Sequence, residues 1–153
     1  MSAVMRVPWE NRLAKMIREP GGVKVGDALA KADENLKTIQ EDCMKAVDGY
    51  LTQIEALHQE AKSAPTAEVK DAIYRLADDI HGMAGVFGLG ELGSAAFSLC
   101  DLIDRQREGG GWTPAAVEVH LNAFRLLRHP AGDPAARAEV LEGLRRVNER
   151  VLR

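Results

Sequence analysis

The residues best suited to chemistry crowd into one stretch, Leu76-Ala77-Asp78-Asp79-Ile80-His81-Gly82-Met83-Ala84-Gly85-Val86-Phe87-Gly88. His81 stands out, because a neutral imidazole keeps one ring nitrogen as a nucleophile near neutral pH. Asp78 lies three residues earlier, one turn away on a helix, so the two are surface neighbours. Glycine and alanine surround them, although each mid-helix Gly costs about 1 kcal/mol against Ala. Small residues beside a histidine leave its ring open to a large partner, whose own active site can then approach the helix closely. Taken alone, Asp78 and His81 read as an i, i+3 pair worth roughly 0.2–0.5 kcal/mol, with Arg75 able to reach Asp78 at the same spacing.

Other candidates carry less. Glu55-x-x-His58 and Asp78-x-x-His81 show the carboxylate-x-x-His spacing of di-iron bundles. Such ligands project into a bundle core, whereas Asp78 falls opposite its helix's apolar seam and His58 at the edge of a stripe. A metal-binding bundle is therefore the weaker alternative, and neither a metal nor another cofactor is expected. Gly88-x-Gly90-x-x-Gly93 has the spacing of a nucleotide loop, but without a preceding strand it reads as a helix–helix turn. His120 and His129 are isolated and expected on the surface. Cys43 and Cys100 fall on apolar stripes, as small buried hydrophobes in a reducing compartment do.

The elements that must hold these residues are helical throughout, since apolar positions recur every three to four residues and no stretch alternates. A first helix over about Pro8–Arg18 carries Trp9, Leu13 and Ile17 on one face and stops at Pro20-Gly21-Gly22. A long second helix, about Gly26–Lys62, has a stripe through Leu29, Leu36, Ile39, Cys43, Val47, Tyr50, Ile54 and Leu57. At 1.5 Å per residue it spans about 55 Å and needs a partner along its length. Thr66 caps a third helix, whose Val69, Ile73, Leu76, Ile80, Met83 and Phe87 form a bundle seam. Gly88-Leu89-Gly90 turns the chain into a fourth helix, about Glu91–Arg107, with Leu92, Ala96, Leu99 and Ile103 inward. Thr113-Pro114 and Asp133-Pro134 open two more, presenting Val117, Leu121, Phe124 and Leu127, then Val140, Leu144, Val147 and Val151.

Composition bounds the rest. The 153 residues suit one domain, and 46% apolar with 28% charged residues is ordinary for a globular protein. The net charge is −3 and the Lys and Arg are scattered, so no basic stripe marks a nucleic-acid binder. The apolar-looking stretch 83–100 is broken by Glu91 and glycines and is not a membrane span. Arg6, Glu10, Arg12 and Lys15 interrupt any signal core, and the expected location is the cytoplasm.

The third and fourth helices together resemble the hairpin of the histidine-phosphotransfer (HPt) family of two-component phosphorelays. The resemblance rests on Ile80, Gly82, Phe87-Gly88, Glu91-Leu92-Gly93 and Ser98-Leu99-Cys100. That family places an exposed phosphoacceptor histidine on a bundle helix, about ten residues before a helix-ending glycine. Two registers are possible. In one, His81 is the phosphoacceptor, with Met83 and Gly85 following in place, but Phe87-Gly88 then arrives three residues early. In the other no gap is needed, Asp78 occupies the acceptor position and His81 stands where the family often has Lys. The gapless register explains more residues without an added event and is preferred.

The resemblance implies an all-α fold, an antiparallel four-helix bundle of HPt type with an extra N-terminal helix. Residues 1–22 form the N-terminal helical arm and 23–153 the bundle. It implies a two-component signalling protein, not an enzyme, that docks the receiver domain of a response regulator or hybrid histidine kinase, whose acidic pocket and Mg²⁺ face this helix. The docking face centres on Asp78, His81, Gly82 and Gly85, with Ser94 and Ser98 as lesser contributors. With Asp78 in the acceptor position, docking without phosphate relay is expected. A phosphocarrier using His81 is the alternative, and a structural module, dimerising through the long helix and the arm, is a third reading.

Overall fold

Capping chemistry sets the helix ends. Thr66 takes an extended conformation and its Oγ1 accepts from Val69 N–H (3.4 Å), so a helix begins at Ala67. Asp133 Oδ1 accepts from Ala135 N–H (3.1 Å), one residue into a helix that opens on Pro134. In a computed structural model that describes residues 21–61, 65–108, 111–129 and 132–151, five helices form: α1 (Val25–Glu60), α2 (Ala67–Ala84), α3 (Gly90–Glu108), α4 (Pro114–Leu127) and α5 (Pro134–Val151). A single 3₁₀ turn, Gly85–Phe87, joins α2 to Gly88. Gly88 ends it at φ +73°, a left-handed backbone that glycine adopts without strain. No strand occurs among the described residues. The fold is the expected all-α bundle. The expected helix over Pro8–Arg18 lies outside the described residues.

The chain divides into two compact units, Met1–Ile39 and Gln40–Arg153, with the division inside α1. In the first unit the described part of α1 leaves its apolar stripe bare, with Leu29, Leu36 and Ile39 at 61%, 57% and 51% exposure. The second unit holds the core. There α1 buries Val47, Leu51, Ile54 and His58, spaced four, three and four apart. Arg128 follows α4 directly and grips Asp48 of α1 through Nε (2.5 Å) and Nη2 (2.9 Å). That guanidinium holds the Asp48 carboxyl below its usual range.

The central element is α3, which packs against α2, α4 and α5. It buries Leu92, Ala96, Leu99 and Ile103 as expected, together with Gly93, Ala95, Cys100, Leu102 and Gln106. Against it, α2 turns a face that differs from the expected seam. Ile73 and Ile80 are buried, but the other fully buried positions are Ala77 and Ala84, while Val69, Leu76, Met83 and Phe87 are half-buried. Small residues let the two backbones close up: a Cβ on Gly93 would lie 3.2 Å from Ala84 Cβ. The seam follows the line of closest approach and not the largest side chains.

The expectation that His120 is a surface residue is corrected. Its side chain is fully buried in α4. His120 Nδ1–H donates to the Ala116 carbonyl (2.8 Å), which leaves Nε2 to accept from Ser98 Oγ–H (3.0 Å). Asn148 of α5 donates from Nδ2 to the Ser98 carbonyl (2.8 Å), Ser98 Oγ (3.2 Å) and Asp101 (3.1 Å). This network ties α3, α4 and α5 together. Arg137, also buried, donates to the His129 carbonyl (2.6 Å), the Leu127 carbonyl (3.5 Å) and Glu91 (3.2 Å), so it closes the exposed end of α4 onto the start of α3.

Candidate functional site

One face of α2 carries the sequence-singled residues. Asp78, His81 and Gly82 are exposed on the helix, and Gly85 is exposed at its C-cap. A Cβ on Gly82 or Gly85 would meet nothing within 4 Å. These glycines are therefore not there to relieve crowding inside the protein; the space they leave lies outside it. Asp78 makes no hydrogen bond or ion pair among the described residues. The pairings expected with Arg75 and His81 at i, i+3 do not form. The charge of Asp78 adds to burial, the larger cause, in pushing the Cys100 thiol up to about 12.

His81 is instead held by α3. Its Nδ1 lies 2.9 Å from the Gly93 carbonyl. A carbonyl can only accept, so Nδ1 carries the proton, and in the neutral ring Nε2 holds the lone pair. The ring sits 5.4 Å from that of Phe97, tilted by 43°, a favourable aromatic arrangement. A Cβ at Gly93 would lie 3.7 Å from Nδ1 and 3.6 Å from the His81 carbonyl, in ordinary van der Waals contact with both.

Ser94 and Ser98 differ from one another. Ser94 is exposed and its hydroxyl donates back to the Gly90 carbonyl (3.0 Å). Ser98 is half-buried and its hydroxyl is spent on His120. Both line a cavity of about 300 Å³ with Phe97, Asp101, Arg105, Leu141 and Asn148. Phe97 is thus shared between His81 and the cavity, and it is 60% exposed. The sequence reading missed Phe97 and Val86, which is 74% exposed on the 3₁₀ turn, and used Gly93 only as a turn and family residue. A usable signal existed for Phe97: an aromatic residue outside the inward stripe of its own helix.

The two carboxylate-x-x-His pairs are not joined into one centre. Glu55 pairs with Arg125 (2.8 Å), and His58 is buried. Among the described residues no group of three or more His, Cys, Asp or Glu could hold a metal ion. No helix among them is long and apolar enough to cross a membrane.

The arrangement is that of a helical bundle presenting a polar, glycine-cleared helix face beside an exposed aromatic ring. The family model for the Hpt domain matches residues 27–147, and the chain belongs to the Hpt-domain family. That match covers α1 through most of α5 and places the chain in two-component phosphorelay signalling. Hpt domains are phosphocarriers and not enzymes, and they work with receiver domains and histidine kinases. No curated protein and no solved structure matches the chain.

Proposed function

We propose that this Hpt-family chain docks receiver domains through the exposed face of α2, centred on Asp78, His81, Gly82 and Gly85, and that it does so without relaying phosphate. The observation that carries the reading is the cleared face itself. Two glycines with open space at their missing Cβ follow a histidine, the exposed Phe97 lies against its ring, and Val86 is exposed on the 3₁₀ turn beyond them. A cytoplasmic location fits such a partner. Ser94 borders the face; Ser98, whose hydroxyl is engaged inside, contributes less.

The absence of relay follows from the gapless register, which puts Asp78 ten residues before the left-handed Gly88. A carboxylate is a poor acceptor. It repels an incoming phosphoryl group and would yield another reactive acyl phosphate. A second reading, phosphotransfer through His81, is favoured by one specific observation. The Gly93 carbonyl fixes the proton on Nδ1 and leaves Nε2 as the basic nitrogen. In that reaction an Nε2–P bond forms as the O–P bond to the receiver's aspartate breaks, and the carboxylate leaves with the electron pair.

The test is to titrate the protein with phosphorylated receiver domains while following binding and label. Measurable binding with no acid-labile, base-stable phosphate on the chain is expected. Label that disappears in His81→Ala would overturn the non-relay reading in favour of the second. A Gly82→Lys variant fills the cleared face and should weaken receiver binding at least about tenfold, the loss of about 1.4 kcal/mol. Unchanged binding would move the docking face elsewhere.

A further inference from the structure

The cavity between α3 and α5 has no part in the docking described so far. Phe97 and Asp101 line it from α3, and Leu141 and Asn148 from α5. Its charged groups are matched among themselves. Arg105 pairs with Asp101 (2.7 Å), and Arg145 pairs with Glu149 and with Glu142 (2.8 Å). No unmatched charge in this wall selects an ion.

One polar atom in the wall is not matched. Asn148 is 5% exposed, and its Nδ2 donates to the Ser98 carbonyl (2.8 Å). A carbonyl can only accept, so the amide cannot be turned over. Its other end, Oδ1, is buried and has no hydrogen-bond partner among the described residues. A buried acceptor in that state costs about 1–3 kcal/mol and calls for a donor. We propose that the cavity is an anchor pocket for the receiver docked on α2, and that it takes one tyrosine or tryptophan side chain of that receiver, whose O–H or N–H donates to Asn148 Oδ1. The proposal rests on the docking reading.

Three features support this occupant. The first is continuity. Phe97 is 60% exposed, lies 5.4 Å from the His81 ring and also lines the cavity, and Ser94 borders both as well. A partner seated over His81 therefore meets the mouth of the cavity without a gap. The second is size. The cavity holds about 300 Å³, whereas a cavity of about 150 Å³ already accepts benzene. The third is chemistry. A phenol or an indole has an apolar body for Phe97 and Leu141 and a single donor at its tip, and such side chains anchor interfaces from pockets of this kind. A leucine or phenylalanine would leave Oδ1 unpaired. A lysine or arginine would add a charge to a wall whose charges are already matched.

Indole and benzofuran test the pocket in the full chain, since they have nearly the same shape and differ in the N–H. In nitrogen-15 spectra, indole should shift the amides of Phe97, Leu141 and Asn148 and bind at least about fivefold tighter than benzofuran, one hydrogen bond's worth. Leu141→Trp fills the pocket from α5 and should abolish those shifts. Indole at half-saturation should halve the affinity for a receiver domain, and needs no variant to fold. Leu141→Trp should weaken receiver binding at least about tenfold, as should alanine at one tyrosine or tryptophan of the receiver. Gly82→Lys should weaken receiver binding and leave indole binding unchanged. Absence of indole binding, or equal binding of benzofuran, would overturn the proposal while receiver binding to α2 stands. Indole binding with no effect on the receiver would overturn it too, since the pocket would then serve a free small molecule. A chain that binds indole and no receiver would sink the docking reading, and the receiver's anchor with it.

Discussion

Gly93→Ala probes a close approach of α2 and α3 and the geometry of His81 in one substitution. Two terms oppose each other. Replacing a mid-helix glycine by alanine favours the helix by about 1 kcal/mol. The added Cβ would sit 3.2 Å from Ala84 Cβ, tighter than carbon–carbon contact at about 3.5–4.0 Å, and neither atom is the end of a flexible side chain. Overpacking of this kind costs about 1–3 kcal/mol. The net effect is between neutral and a destabilisation of about 2 kcal/mol. Gly143→Ala in α5 is the matched control, because a Cβ there meets nothing within 4 Å. It should stabilise by about 1 kcal/mol. The two variants should therefore differ by about 1–3 kcal/mol in urea denaturation, with equal slopes. Nitrogen-15 spectra of the His81 ring give the second readout. The wild-type ring should show the Nδ1–H tautomer; in the alanine variant the shift between α2 and α3 that relieves the Ala84 contact moves the Gly93 carbonyl relative to the ring, and a mixture should appear. If Gly93→Ala stabilises the protein as much as Gly143→Ala does and leaves the tautomer unchanged, the close packing argued between α2 and α3 is wrong.

Three further outcomes follow from the same geometry. Arg137→Leu removes the buried guanidinium that satisfies the Leu127 and His129 carbonyls and pairs with Glu91; chemical denaturation should show a loss of about 1.5–3 kcal/mol, and Glu91→Gln a smaller one. His120 has its ionisation pushed down by burial, so the unfolded chain binds its proton more readily than the folded one. Its contribution is intact above pH 6.5 and is lost as pH falls below that value toward the depressed folded-state pKa; thermal melts at pH 7.5 and 5.5 should show this loss in the wild type and a smaller one in His120→Gln. Cys100 is buried and its thiol pushed up to about 12, so a thiol reagent at pH 8 should modify the half-exposed Cys43 in the native protein and reach Cys100 only on unfolding.

The helices were legible because their ends are written in local chemistry. Thr66, Gly88, Pro114 and Asp133-Pro134 each act within one turn of where they stand, and the structure starts or stops a helix at all of them. The packing was less legible because it depends on partners distant in sequence. Periodicity puts Met83 and Phe87 in the seam by size, but the close approach to Gly93 puts Ala84 there. His120 reads as a surface residue since its partners, Ser98 and the Ala116 carbonyl, are respectively on another helix and on the backbone. Asp78 and His81 were found by type and spacing, yet the bond that orients His81 runs to a backbone carbonyl twelve residues away. No side-chain pattern announces a carbonyl; the only trace is the glycine that exposes it.

Both readings of the site use the same face, and they separate on distance along the helix. Asp78 and His81 are three residues apart, about 4.5 Å along the axis. In-line phosphoryl transfer needs the reacting atoms about 3–3.5 Å apart. A receiver seated in the gapless register presents its phosphoryl group to a carboxylate, with His81 nearly one turn further along the helix. To use His81 it must slide toward Gly85, where the cleared surface continues and the exposed Val86 begins. The direction of that slide makes the readings separable by one further variant. Bulk at Gly85, as in Gly85→Leu, blocks the displaced position and leaves Asp78 uncovered. It should abolish any phosphate uptake through His81 while reducing receiver binding less than Gly82→Lys does. Equal losses of binding from the two variants would mean that the receiver covers both positions at once, and the distinction between the registers would then lie in the acceptor's chemistry alone.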